Sequence, residues 1–349
     1  MAGVQNLFCL HHSSVFSRSK IPSNCAETQN FMTKLVIQIP CFNEAKTIGT
    51  TIDALPKSVP GIDEIAILIV DDGCTDDTVA VAKSHGADHS ISLPRNQGLA
   101  RAFMTGLEES VRLKADVIVN TDADNQYNAD DIKNLVGPVL AGEAEIVVGS
   151  RPISTIAHFS MLKRILQKLG SSVVRRASKT NIADATSGFR AMSRSAAQQL
   201  NVFSDYTYTL ETIIQAGQKG MAIISVPIRV NGVTRPSRLM KSIPSYVGRS
   251  VLTIMRISIT YRPLRFFVRL GGVIFLVGFV IGGRFLWFYL GSDGDGHIQS
   301  LILASMFMSM GFFVAITGVF ADLIAVNRKL LEQTLWRIKK LEENQDRSD

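Results

Sequence analysis

Apolar and polar positions follow two regimes along this chain. From Lys34 to about Val230, short runs rich in Ile and Val alternate with amphipathic stretches. From Phe266 onward, apolar residues run almost unbroken. The runs Leu35–Ile39, Ile65–Val70, Val117–Val119 and Ile146–Val148 have the pattern of strands buried on both faces. Between them Glu44–Leu55, Asp76–Ser84, Leu99–Leu113 and Asp130–Ala141 carry a helical period. Two further helices, Arg194–Leu200 and Thr207–Lys219, and a strand within Met221–Val230 complete the region. This alternation predicts an α/β domain over residues 33–233 with a mainly parallel sheet. Ligands of such sheets sit at the carboxyl ends of the strands.

The second regime predicts a membrane hairpin. Phe266–Leu290 and Ile298–Val326 are each long enough for a hydrocarbon core that takes roughly 20 residues to cross. The connector Gly291–His297 carries two Asp and no Lys or Arg, whereas both outer flanks are basic. The positive-inside rule then places both ends, with the α/β domain, in the cytosol and the tip outside. Arg284, near the outer end of the first span, is expected to snorkel outward or to pair with Asp322 or a neighbouring subunit. Residues 327–349 form a charged tail with Leu331, Leu335, Ile338 and Leu341 along one side. That pattern predicts a cytosolic helix, either solvated or joining subunits of a homo-oligomer.

Composition sharpens this picture in three places. The formal charge of the 349 residues is +7, and the basic residues cluster between Arg229 and Arg269 and after Asn327. That distribution points to anionic membrane lipids or phosphate substrates and away from nucleic acid. Residues 234–265 read as a basic juxtamembrane amphipathic segment, and Ile156–Lys179 as a basic amphipathic helix at the membrane interface or on the domain surface. Residues 1–32 are polar and Ser-rich without the basic start of a secretory signal, and read as a disordered extension. The four cysteines, Cys9, Cys25, Cys41 and Cys74, form no C-x-x-C pair, so neither a metal motif nor a disulfide framework is expected.

The candidate chemistry lies at the strand ends. Asp122, Asp124 and Gln126 follow the third apolar run at two-residue spacing, which in an extended segment points all three the same way. Two carboxylates and an amide oxygen are hard ligands suited to Mg²⁺ or Mn²⁺ bound together with substrate phosphates. Alone, such a D-x-D is most often a solvated acidic turn. Asp71 and Asp72 end the second run, placed to accept hydrogen bonds from a base and a ribose, or to stabilise the turn at Gly73. No G-x-G-x-x-G follows the first strand and no G-x-x-x-x-G-K-[ST] occurs, which disfavours dinucleotide and P-loop chemistry. A nucleoside-diphosphate sugar fits: a divalent ion neutralises the charge that develops on the leaving diphosphate. The acceptor expected beside a membrane hairpin is an anionic lipid head. A lipid phosphate, largely ionised near neutral pH, needs cations more than a general base. Arg151, Lys163, Arg164 and Arg190 are the candidate cations. Asp184 is a candidate to orient acceptor or sugar, or to act as a base. Attack opposite the leaving group inverts the anomeric centre.

The chain resembles family 2 glycosyltransferases of the polyprenyl-phosphate sugar synthase type, over roughly Leu35 to Val326. The resemblance rests on Pro40-x-x-Asn43-Glu44, Asp71-Asp72-Gly73-x-Thr75-x-x-Thr78, Asn96-x-Gly98-x-Ala100, Asp122-x-Asp124-x-Gln126, Gly149-Ser150-Arg151 and Ser187-Gly188-Phe189-Arg190. It implies a GT-A fold, an α/β nucleotide-sugar-binding domain here followed by a two-span α-helical hairpin. It implies metal at Asp122, Asp124 and Gln126; together with the candidates read from the residues, the catalytic group is Asp122, Asp124, Asp184 and Arg151. By the resemblance Pro40, Glu44, Asp71 and Asp72 would line a site for a UDP- or GDP-sugar, and Asn43 and Asp122 are added to it as neighbouring candidates. Arg151 and Arg164 would hold the phosphate of an undecaprenyl- or dolichyl-type acceptor. In a bacterial or archaeal cell the location would be the plasma membrane. Two departures stand out: Cys74 where Ser is usual, and Thr234–Ser242 in place of R-x-x-G-x-S-K. The alternatives are transfer to a neutral hydroxyl such as diacylglycerol, which would need a clear general base, and an inactive membrane scaffold.

Overall fold

We describe the protein from a computed structural model over residues 32–152, 180, 182–202, 208–231, 255, 259, 263–291 and 298–346. The sheet is built from β1 (Lys34–Cys41), β2 (Glu64–Asp71), β3 (His89–Ser92), β4 (Val117–Asn120), β5 (Ile146–Ser150), β6 (Arg190–Ser193) and β7 (Ile223–Pro227). Their order across the sheet is β3-β2-β1-β4-β6-β5-β7, and every pairing is parallel except those of β6. The helices are α1 (Ile48–Asp53), α2 (Thr78–Ser84), α3 (Leu99–Arg112), α4 (Ile132–Leu140), α5 (Arg194–Gln199) and α6 (Thr209–Lys219).

The unbroken apolar character of β1 follows from its position. Leu35, Ile37 and Ile39 pack with Ile48 and Ile52 of α1, Ala82 of α2, and Ile132, Leu135 and Val136 of α4. Val36, on the opposite face, packs with Leu68, Phe103 and Leu107 of α3, Ala196 of α5 and Ile213 of α6. Each such side chain fully withdrawn from water contributes about 1.5–3 kcal/mol. The sheet therefore needs apolar residues on both faces, as the sequence pattern predicts.

Two strands escape the sequence pattern. β3 is a four-residue edge strand, His-Ser-Ile-Ser, half-exposed at every second position. β6 carries Arg190 at its start and runs antiparallel between β4 and β5. Its direction decides the site. Arg190 pairs with Asn120 at the carboxyl end of β4 and with Val148 near that of β5. The residues just before β6 are thereby delivered beside the loop that follows β4.

Two further helices, α7 (Pro263–Leu290) and α8 (Ile298–Asp346), are long and apolar enough to cross a membrane. They approach each other at glycines. A Cβ on Gly271 would lie 2.5 Å from the Gly311 carbonyl oxygen, and one on Gly311 would lie 2.6 Å from that of Gly271. Backbones this close pack by dispersion where lipid removes any hydrophobic drive between helices. Trp287, Tyr289 and Leu290, near the connector, are largely exposed. The second apolar stretch and the tail, read separately from sequence, form one continuous helix. Glu332 of α8 accepts from Arg328 Nε at 3.0 Å and lies 3.5 Å from Lys219 Nζ at the end of α6. The extension of the second membrane-length helix thus touches the α/β domain.

Candidate active site

The first wall of the site is made where β1 and β2 end side by side, Pro40 opposite Val70 and Cys41 opposite Asp71. Pro40 is buried and shapes the wall without a polar group. Asn43 adopts a left-handed backbone (φ 54°), and its Oδ1 accepts from the Thr75 amide at 2.8 Å and the Thr75 hydroxyl at 3.3 Å. The Glu44 amide donates to Thr78 Oγ1 at 2.8 Å, and the Glu44 carboxylate accepts from Thr47 Oγ1 at 3.2 Å. These contacts tie the β1 loop to the β2 loop. Asp71 Oδ1 accepts the Cys74 amide at 2.7 Å.

Asp72 has a different occupation from its neighbour. Its Oδ1 accepts the Gln97 amide at 2.7 Å and its Oδ2 the Gly98 amide at 3.0 Å. Burial pushes its carboxyl above the ordinary value, against the pull of those two amides. Asp72 is a latch that holds the start of α3 against the end of β2.

The second wall is the turn after β4. The spacing of Asp122, Asp124 and Gln126 suggested an extended segment, and here the structure corrects the reasoning. The strand ends at Asn120, and Asn125 is left-handed (φ 53°). Asp124 Oδ1 accepts the Gln126 amide at 3.2 Å, so a local turn gathers these residues. The turn is fixed from outside. Thr51 Oγ1 donates to the Ala123 carbonyl at 3.0 Å. Asn231 Nδ2 donates to the carbonyls of Asn125 (2.9 Å) and Tyr127 (3.2 Å). Arg229 grips the buried Asp131 carboxylate, with Nη2 to Oδ1 at 2.9 Å. Asp122, Asp124 and Gln126 are all partly exposed, and Asp122 lies toward the third wall.

The third wall is the segment before β6. Arg151, just beyond β5, donates from Nε to Asp184 Oδ2 at 2.7 Å and from Nη2 to Asp184 Oδ1 at 3.2 Å and Thr186 Oγ1 at 2.8 Å. The Thr186 amide and hydroxyl also donate to Asp184 Oδ1, at 3.2 and 2.8 Å. Asp184 is fully buried, which by itself would raise its pKa; the Arg151 guanidinium and Thr186 overcome this and hold it below the usual carboxylate range. A carboxylate so engaged is a poor proton acceptor, so Asp184 is corrected from candidate base to the group that orients Arg151. The Arg151 side chain keeps 17% of its surface exposed.

Arg190 is also corrected. Only 1% exposed, it donates to the carbonyls of Ser187 (2.8 Å), Ala185 (3.1 Å) and Thr209 (2.9 Å) and to Thr212 Oγ1 (2.6 Å), and lies over the Tyr208 ring. It ties the 185–187 segment to α6 and cannot reach a lipid phosphate. Lys163, Arg164, the amphipathic stretch 156–179, the Thr234–Ser242 loop, the juxtamembrane segment except Met255, Ser258's neighbour Ile259 and the first residues of α7, and residues 1–31 lie outside the described residues.

The second and third walls meet at Gly188. Its amide donates to Tyr127 Oη at 3.1 Å, and its carbonyl accepts from Asn120 Nδ2 at 2.8 Å and Tyr208 Oη at 3.4 Å. A Cβ there would lie 3.1 Å from Asp122 Oδ1 and 2.8 Å from Tyr208 Oη, so only glycine allows this approach. Sequence reasoning missed Asn120, Tyr127, Thr186 and Tyr208. One signal was present: Asn120 and Gln38 are polar residues inside otherwise apolar strands, and Gln38 Nε2 donates to Asn120 Oδ1 at 2.9 Å.

Comparison with known proteins gives these walls a context. Residues 36–200 match the sequence model of Glycosyl transferase family 2. The chain is 31% identical over 204 residues, 56% of its length and 81% of the relative's, to a protein of Methanocaldococcus jannaschii. It is 31% identical over 215 residues, 55% of its length and 83% of the relative's, to the UDP-N-acetylglucosamine–dolichyl-phosphate N-acetylglucosaminyltransferase of Methanococcus voltae. In fold it is similar to glucosyl-3-phosphoglycerate synthase from Mycobacterium tuberculosis, solved with Mn²⁺ and UDP-glucose, at a TM-score of 0.50 and 23% identity over 64% of this chain and 79% of that one.

Proposed function

This chain belongs to glycosyltransferase family 2, and we propose that it transfers a monosaccharide from a UDP- or GDP-sugar to a polyprenyl phosphate at the cytosolic face of a membrane. One observation carries the reading: the Asp122–Tyr127 turn and the Arg151–Asp184 pair are brought together at Gly188, in a chain that also has two membrane-length helices. An acidic turn suits a diphosphate held through a divalent ion, and a fixed guanidinium suits a phosphate acceptor. The basic flanks of the hairpin support the cytosolic orientation.

The donor set fits Mg²⁺ or Mn²⁺. Asp122, Asp124 and Gln126 offer oxygen ligands, the type these hard cations take, from a single turn. Asp124 and Gln126 would hold it directly, with Asp122 as a ligand or as the group that positions the sugar. When bound, the ion supplies charge neutralisation to the departing diphosphate. Pro40, Asn43, Glu44 and Asp71 shape the nucleotide side, and Asp72 secures it through the start of α3. Arg151 presents its exposed edge to an acceptor phosphate oxygen, its orientation set by Asp184 and Thr186.

The engaged state of Asp184 favours a nucleophile that arrives already ionised. A phosphate monoester, with a second pKa near 6, meets that condition at neutral pH. A neutral hydroxyl acceptor would need a base, which Asp184 cannot supply. Attack from the face opposite the diphosphate gives an inverted sugar phosphodiester.

The test is transfer in membranes containing the full chain, with labelled UDP- and GDP-sugars and added polyprenyl phosphate. The expected product is a lipid from which mild acid releases the sugar. An acid-stable glycolipid would replace this reading with transfer to a hydroxyl.

A further inference from the structure

The residue that joins the two clamps is Tyr127. Its ring stacks on Phe189, with centroids 5.0 Å apart and planes at 13°. Its hydroxyl accepts the Gly188 amide at 3.1 Å. Its main chain is held separately, through Asn231 to the Tyr127 carbonyl and the bridge to Val230. The ring and backbone are thus fixed by groups other than the hydroxyl, which has one definite task on Gly188.

That task bears on both clamps. Gly188 Cα lies against the Asp122 carboxylate, so the position of the Gly188 peptide sets the wall on which Asp122 rests. Four residues earlier the same segment carries Asp184, and two residues earlier Thr186, the partners that orient Arg151. A phenol, with an ordinary pKa of about 10, is a neutral hydroxyl at neutral pH, so it accepts the Gly188 amide without adding charge to the site.

We propose that Tyr127 is a positioning residue whose hydroxyl, through the Gly188 amide, fixes the distance between the Asp122 side of the donor clamp and the Arg151 acceptor clamp. It touches neither substrate in this scheme. The proposal rests on the transfer reaction proposed above for what the two clamps hold, while its structural part, the link from Tyr127 to Gly188, stands independently of the acceptor's identity.

Tyr127→Phe removes the hydroxyl and keeps the stack on Phe189. A misplacement of about 1 Å between reacting groups can lower a rate by roughly 100-fold. The expected result in the full-length protein is a kcat lower by about 10- to 100-fold, with the KM for the nucleotide sugar, the Mn²⁺ concentration for half-activation and the thermal midpoint little changed. Hydrogen exchange of the 184–189 segment should rise in the same variant, because the Gly188 amide loses its acceptor. Phe189→Leu, which removes the stack and keeps the hydroxyl, should lower the thermal midpoint more than it lowers kcat. Wild-type exchange at 184–189 in Tyr127→Phe overturns the proposal whatever the acceptor proves to be. So does a kcat loss that only follows the folded fraction. If instead the wild-type protein fails to label polyprenyl phosphate but the exchange change is present, the functional reading falls and the positioning link remains.

Discussion

Arg151 and Asp184 form a two-point pair, Nε to Oδ2 at 2.7 Å and Nη2 to Oδ1 at 3.2 Å, with the carboxylate fully buried and the guanidinium partly open. The asymmetry assigns the roles. In the function proposed above, the buried partner supplies orientation and the partly exposed cation is the one that meets the acceptor.

Replacing Asp184 by Asn should therefore act on stability and acceptor use together. Removing one partner of a buried pair costs roughly 3–5 kcal/mol. The pH dependence has a definite sign. Asp184 has a folded pKa below its unfolded value of about 3.9, so its stabilisation is fully present above pH 4 and is lost as pH falls through the folded pKa. The difference in thermal midpoint between wild type and Asp184→Asn should be large at pH 7 and shrink below pH 4. At neutral pH the acceptor KM should rise more than the donor KM. A gap in midpoint that stays constant down to pH 2.5 would show that the ionised pair is not the source.

Asp124 is partly exposed on a turn anchored by Thr51 and Asn231, so its loss should leave the fold in place. Asp124→Ala should lower metal-dependent transfer by about 100-fold or more, the scale for losing one preorganised electrostatic group. The readout is initial rate against Mn²⁺ concentration, with circular dichroism as the control for folding. Normal activity at ordinary Mn²⁺ would remove Asp124 from the ion site.

How much of this was legible in the sequence differs between the sheet and the site. β1, β2, β4 and β5 announce themselves because both their faces are buried, and α7 and α8 because each holds an apolar run long enough to cross a membrane. β3 was invisible since an edge strand such as His-Ser-Ile-Ser needs no apolar run. β6 was hidden because its first residue is a buried arginine, a residue type that sequence reasoning assigns to the surface or to a ligand. The same fact explains the misreading of Arg190: its partners are mostly main-chain carbonyls, which carry no signature in the sequence. The motifs around Asp71, Asp122 and Ser187 were legible as a set. Their meeting point was not, because it depends on the antiparallel insertion of β6 between β4 and β5.

Arg190 then provides a direct contrast with Arg151. Arg190→Met keeps side-chain bulk and leaves the carbonyls of Ser187, Ala185 and Thr209 without this donor. The Thr209 carbonyl still accepts from Thr212 Oγ1, so at about 1–3 kcal/mol for each of the other two left unsatisfied the loss should be at least about 2 kcal/mol. Chemical denaturation in detergent measures it. The acceptor KM of the folded fraction should stay near wild type, whereas Arg151→Ala should raise the acceptor KM with a smaller loss of stability. Equal effects of the two substitutions on acceptor KM would return Arg190 to the acceptor site.

The glycine contact between α7 and α8 makes a prediction away from the chemistry. Gly271 and Gly311 face each other with no room for a side chain on either, since an added Cβ would fall 2.5 or 2.6 Å from the opposing carbonyl oxygen. Leucine at either position must push the helices apart over the whole crossing, and overpacking of this kind costs about 1–3 kcal/mol. Both helices remain apolar enough to insert, so Gly271→Leu should still be found in the membrane fraction. What should change is the pairing: a cysteine pair placed across the crossing should cross-link more slowly than in the otherwise wild-type chain, and the thermal midpoint in detergent should fall. Because α8 continues to Glu332 and its contact with Lys219, splaying the hairpin should also weaken that ion pair. A Gly271→Leu protein that cross-links and melts like wild type would show that the two helices do not pack through this contact.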